Sequence, residues 1–165
     1  MRTDDARYVE RTPWPHWAEG VFWGALALTS FAMLAGWDTD LPATVRVPIA
    51  TGIVALGVGL RAVIGGMSVR VDDGGVFIHL GSVPLLRRHI PFDEIEGMEV
   101  VRYRPIRDFG GWGIRGLGKT RAWTARGDRA VRLQLTDERV LYIGSDVPQR
   151  LAERIRTIGR VGVRG

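Results

Sequence analysis

The stretch Val21–Trp37, VFWGALALTSFAMLAGW, holds no charged residue, and a second apolar stretch, from Val47 to Met67, follows it closely with Arg61 as its one charge. A helix that crosses the hydrocarbon core of a bilayer needs roughly 20 apolar residues, with a lower limit near 17. Both stretches meet that length, the first with help from Ala18 and Gly20, and Glu19 falls at the interface. Trp14, Trp17 and Trp23 flank one end of the first stretch and Trp37 the other, where an aromatic belt is expected. Arg61 lies close enough to a helix end to snorkel toward headgroups. Gly52, Gly57 and Gly59 are expected to let the two helices approach closely. A cleaved signal peptide fits poorly, because about twenty polar and aromatic residues come first. The chain thus divides into an N-terminal segment, 1–20, a two-span hairpin, 21–67, and a C-terminal domain, 68–165.

Charge sets the orientation. Arg2, Arg7 and Arg11 precede the first span, and Arg61 and Arg70 flank the end of the second. The connecting loop, Asp38 to Arg46, carries two acids and one arginine. The positive-inside rule then puts both termini in the cytoplasm and the protein in the inner (plasma) membrane as a multi-pass protein.

Beyond Met67 the hydrophobic period becomes two. Seven short strands are expected, over 67–73, 75–81, 84–92, 95–103, 120–126, 130–136 and 139–145, with turns at Asp73-Gly74, Gly127-Asp128 and Asp137-Glu138. The core they predict is Val69, Val71, Ile78, Leu80, Val131, Leu133, Leu135, Leu141 and Ile143, with Leu151 and Ile155 from a last helix. That helix has Asp146 as N-cap and Gln149 completing a capping box; its apolar stripe is Val147, Leu151, Ile155 and Ile158. The class is α+β: a transmembrane hairpin, then an antiparallel β domain closed by a C-terminal helix.

Three segments carry a resemblance: Tyr103–Arg115 (YRPIRDFGGWGIR), Arg126–Val131 (RGDRAV) and Leu141–Ser145 (LYIGS). On these the chain resembles bacterial uncharacterised membrane proteins with a two-helix hairpin and a pleckstrin-homology-like (PH-like) domain. The resemblance implies the fold and a membrane location, and no reaction. PH domains that grip phosphoinositides do so through a basic loop between their first two strands. Here that loop is Asp72-Asp73-Gly74-Gly75, short and acidic, which argues against that route.

Gly113–Thr120 (GIRGLGKT) matches the nucleotide-binding P-loop letter for letter. A P-loop needs a helix starting at its lysine, but TRAWTARGD after Lys119 alternates like a strand and turns at Gly127. No nucleotide or cofactor is expected. His16, His79 and His89 are too scattered for a metal site, and the acidic cluster Asp93, Glu94, Glu96 and Glu99 reads as a solvated strand entry. No catalytic triad can be assembled.

What remains is charge. Residues 68–165 hold 18 basic and 12 acidic residues, and between Arg102 and Arg132 nine basic residues face two acids. Such a surface suits anionic partners. The candidate contacts lie in the glycine-rich loop 104–119: Arg104, Arg107, Phe109, Trp112, Arg115 and Lys119. An alternating meander of strands would bring this loop to the membrane side. The expected function is a non-enzymatic module that binds the inner-leaflet surface, through anionic headgroups, or another membrane protein. A membrane-tethered nucleic-acid-binding protein is the alternative on charge alone, and an enzyme of unknown class is a remote one.

Overall fold

Two apolar helices dominate the first part of the fold, α1 over His16–Ala35 and α2 over Ala43–Ile64. The computed structural model describes residues 8–37, 40–116 and 118–160; Arg2 and Arg7, used above for orientation, and Leu117 lie outside them. At 1.5 Å per residue, the helices are about 30 and 33 Å long. They pack on each other and leave most of their apolar side chains uncovered: Phe31 is 64% exposed and Leu56 73%. Gly57 makes the close approach, since a Cβ there would stand 2.8 Å from Leu26. Gly52 and Gly59 face open space instead, so only one of the three expected glycines serves the helix contact.

Polar side chains tie both ends of the hairpin. Near the loop, Arg46 donates to the carbonyl of Leu34 at 3.0 Å, satisfying one of the orphan carbonyls that end α1. At the other end Arg61 donates Nε–H to Glu19 at 3.0 Å and forms an ion pair with it. The guanidinium also lies 5.6 Å from the Trp14 ring.

Among the described residues, nine strands follow the helices or flank them. β1 (Tyr8–Thr12), β2 (Met67–Asp72), β3 (Gly75–Leu80) and β4 (Arg87–Ile90) form one antiparallel sheet in that order. The second sheet is built from β5 (Ile95–Arg102), β6 (Gly113–Arg115), β7 (Thr120–Thr124), β8 (Arg129–Leu135) and β9 (Val140–Gly144), in the order β5-β8-β9-β7-β6. A short helix, α3 (Pro105–Phe109), interrupts the loop after β5, and α4 (Pro148–Gly159) ends the described chain. All eleven side chains expected in the core are buried, between the two sheets and α4.

The expectation of seven antiparallel strands is corrected in three ways. β1 comes from ahead of the hairpin and pairs with β2, Tyr8 opposite Val71 and Thr12 opposite Met67. β6 is a second unforeseen strand. β7 and β9 run parallel, so the second sheet is not a meander. A bulge between Ile95 and Gly97 explains the loose alternation of β5: the extra residue lets Ile95 and Met98, three apart, both meet the inner face of β8.

The cap of α4 also differs. Val147, 45% exposed, is the N-cap residue and offers no side-chain bond. The Asp146 carboxylate is held instead by Arg126, with N–O distances of 3.2 and 2.6 Å. Asp146 N–H donates to Glu10 at 2.8 Å. Glu10 is a buried carboxylate on β1 that also accepts the hydroxyls of Tyr8 (2.9 Å) and Ser145 (2.8 Å). Burial, with the hydrogen bond to Glu10, holds the Tyr8 hydroxyl well above the ordinary tyrosine range.

Candidate functional site

The β domain is stitched directly to the ends of the helices. Gly65 and Gly66 alone separate α2 from β2. The turn after β3 folds back on α2: Ser82 and Val83 donate their N–H groups to the carbonyl of Ala62 at 2.8 and 3.0 Å. Gly81 permits this, with φ of +67° and no room for a Cβ against Ala62 and Val63. A non-glycine residue there meets backbone on one side and left-handed strain on the other.

Around this junction lies an aromatic cleft of about 510 Å³. Trp14 comes from the link between β1 and α1, Trp17 and Ala18 from the start of α1, Ile64 from the end of α2, and Trp112, Ile114 and Arg115 from the glycine-rich loop. The Trp17 and Trp112 rings lie 6.4 Å apart. Trp112 is fixed from behind by its indole N–H, which donates to the Gly127 carbonyl at 3.0 Å. Arg115 donates Nε–H to the Trp112 carbonyl at 3.1 Å and leaves the rest of its guanidinium exposed at the rim. Apolar rings beside an exposed cation, at the foot of two apolar helices, make an amphipathic surface.

The six residues singled out in the loop therefore do not form one patch. Only Trp112 and Arg115 reach the helix base. Arg104 and Arg107 border a separate cleft of about 550 Å³ with Asp108 and Asp128, and Asp108 accepts the backbone N–H of Arg104 at 2.8 Å. Phe109 belongs to an aromatic cluster, its ring 5.8 Å from Tyr103 and 5.1 Å from Tyr142. Tyr103 is buried there, and burial raises its hydroxyl pKa. Lys119 is paired with Glu138.

The residues around the P-loop pattern make a hairpin turn. β7 begins at Thr120, directly after Lys119. Gly116 has φ of +108°, and a Cβ on it would strike the carbonyl of Thr120; the glycine closes a turn rather than opening a phosphate cradle. Lys119→Ala is expected to change stability by no more than about 0.5 kcal/mol, since its ion pair is exposed. No nucleotide binding is expected to be lost, which equilibrium dialysis with a labelled ATP analogue checks. Saturable binding by the wild type that vanishes in the variant contradicts this.

Trp14 and Trp17 are functional candidates that the loop reading missed. Their flanking of the first apolar span was visible, but nothing in the spacing placed them opposite Trp112. Among the described residues no three His, Asp or Glu side chains are grouped as metal ligands would be. No protein-family model matches this chain, and no curated protein matches it significantly.

Proposed function

We propose that the chain is a membrane-anchored, non-enzymatic module: α1 and α2 span the inner membrane and hold a basic, PH-like β domain against the cytoplasmic leaflet. One observation carries this reading. Both helices are long enough to span a bilayer, have mean hydropathies of 1.4 and 2.0, and are almost wholly uncovered by the rest of the chain. A core helix of a water-soluble domain would bury such a face. In lipid the exposed Leu, Val and Phe side chains have their solvent, and both helices satisfy their backbone internally.

The base of the hairpin fits the interface. Trp14, Trp17 and Trp112 line one cleft at the foot of the helices, and the Arg61 guanidinium, paired with Glu19, lies over the Trp14 ring. Tryptophan rings settle at headgroup depth, and each exposed cation near anionic lipid gains about 1 kcal/mol. Arg115 is the loop cation best placed to do so. Two sheets closed by a C-terminal helix support the PH-like assignment, from which the parallel β7–β9 pair departs.

The absence of cysteine makes a direct test clean. Asp40→Cys, in the interhelical loop, is expected to react with a membrane-impermeant maleimide on intact cells, or on spheroplasts where an outer envelope blocks the reagent. Asp73→Cys, at the β2–β3 turn, is expected to react only after lysis. Labelling of Asp73→Cys before lysis contradicts the orientation, and recovery of the protein in the soluble fraction contradicts the anchor.

A further inference from the structure

The outer face of the first sheet carries a second basic surface, outside the glycine-rich loop. Strand register assembles it. Val9, Arg70, Phe77 and His89 lie side by side across β1, β2, β3 and β4. The next row toward the helices is Arg11, Ser68, His79 and Arg87. Three arginines and two histidines thus share one sheet face. Among the described residues, the acid within bonding distance is Asp72, which pairs with Arg70 at 3.1 Å at the far edge.

The face is a cleft of about 810 Å³, lined by both rows and Pro84. A second cleft, of about 460 Å³, shares Arg11, Ser68, His79 and Pro84 with it and runs on to Pro13, Gly65 and Gly66 at the foot of the helices. One groove therefore leads from the end of the anchor to the basic rows. Ser68 is the second residue of β2, so the nearer row sits within a few residues of the end of α2. The headgroup layer extends about 5–7 Å beyond the hydrocarbon, and an arginine side chain spans what is left.

The aromatic residue on this face argues for an anion and against a nucleobase. Phe77 is covered on one side by the His89 ring, stacked at 4.1 Å and 13°. On the other side the Arg70 guanidinium lies 4.9 Å from the ring centroid. Single-stranded nucleic acids bind by stacking bases on open aromatic faces; Phe77 has neither face free. The ring instead supports the Arg70 guanidinium, and His89 is fixed by its Nε2 bond to the Gly74 carbonyl, 2.8 Å long.

We propose that this groove binds the phosphate of an anionic phospholipid drawn from the leaflet in which the hairpin sits, with Arg11 and Arg87 as the first contacts and Arg70 behind them. The proposal rests on the membrane-anchor reading and names the ligand of the anchored domain. The guanidinium fork matches phosphate oxygens in pairs.

The test uses the full chain in nanodiscs of phosphatidylcholine mixed with phosphatidylglycerol, followed by native mass spectrometry of the lipid it retains. Wild type is expected to keep phosphatidylglycerol in preference to phosphatidylcholine. Arg11→Gln/Arg87→Gln is expected to weaken that preference about tenfold or more. Arg156→Gln/Arg160→Gln, an equal charge change on and just past α4, is expected to leave it intact. Incorporation into discs with unchanged selectivity in the Arg11/Arg87 variant overturns the site and leaves the anchor standing. A chain recovered outside the discs overturns both. Glycerol phosphate that displaces the lipid at equal concentration, or an oligonucleotide whose binding depends on the same two arginines, overturns the lipid assignment. Circular dichroism of each variant, unchanged from wild type, ties a lost preference to the side chains rather than to the fold.

Discussion

Glu10→Ala is expected to lower the stability of the β domain by about 3 kcal/mol or more. The Glu10 carboxylate is buried and accepts three donors: the hydroxyls of Tyr8 and Ser145 and the backbone N–H of Asp146. A buried donor left without a partner costs about 1–3 kcal/mol. The two hydroxyls can rotate in search of other acceptors, whereas the Asp146 N–H is fixed at the entry to α4. The loss is therefore less than the sum of three full penalties and greater than one. It is read from urea unfolding of the full chain in nanodiscs, followed by tryptophan emission. Hydrogen exchange is the sharper probe, because the amides of β1 should lose protection before those of β8. Glu10→Gln keeps an acceptor and is expected to lose less than half as much. A Glu10→Ala loss below about 1 kcal/mol would show that β1 is not held by this network.

Leu133→Ala is expected to cost about 2–5 kcal/mol, the range for truncating a fully buried leucine. Leu133 is completely buried on β8, the strand between β5 and β9, with Met98 and Leu141 as its cross-strand neighbours. β5 and β9 flank Leu133 and α4 packs on β8, so the cavity cannot readily collapse. The same unfolding measurement checks it. A loss under 1 kcal/mol would mean that β8 presents its other face to the core.

The parts of the fold that were legible in the sequence are those where hydrophobic pattern and position agree. Val131, Leu133 and Leu135 alternate on β8 and all point inward. β1 was hidden because its pattern is inverted. In Tyr8–Thr12 the aliphatic Val9 faces outward, 56% exposed, while the inward residues are Tyr8, Glu10 and Thr12. A binary reading sees a polar leader there, and only the partners on Ser145 and Asp146, far along the chain, make an inward carboxylate tolerable. Asp146 misled for a related reason. Its side chain has the chemistry of an N-cap, yet Arg126 competes for it across the domain. The candidate site was half legible. Charge density singled out the loop, but charge carries no geometry, so it could not tell Arg115 at the helix base from Lys119, neutralised by Glu138. The basic rows of the first sheet were unreadable before the register was known, because Arg11, Arg70 and Arg87 are scattered along the sequence and meet only through the pairing of β1 to β4.

β1 and β2 are neighbouring strands joined by the whole helix pair instead of by a turn, and this fixes how the domain is mounted. A domain hung from one linker swivels about every axis. Here two pins emerge side by side from the helices, and the ladder from Tyr8–Val71 to Thr12–Met67 fastens them to each other. Rotation about an axis perpendicular to the line between the pins would have to break that ladder or twist the helix pair, so the domain follows the tilt of the hairpin. Order of synthesis follows as well. Tyr8–Thr12 leaves the ribosome before both helices, yet finds its partner only after they have been made, so the sheet cannot be completed ahead of the helix pair. A fragment cut to begin at Met67 would present β2 as a bare edge, and bare edges recruit other chains.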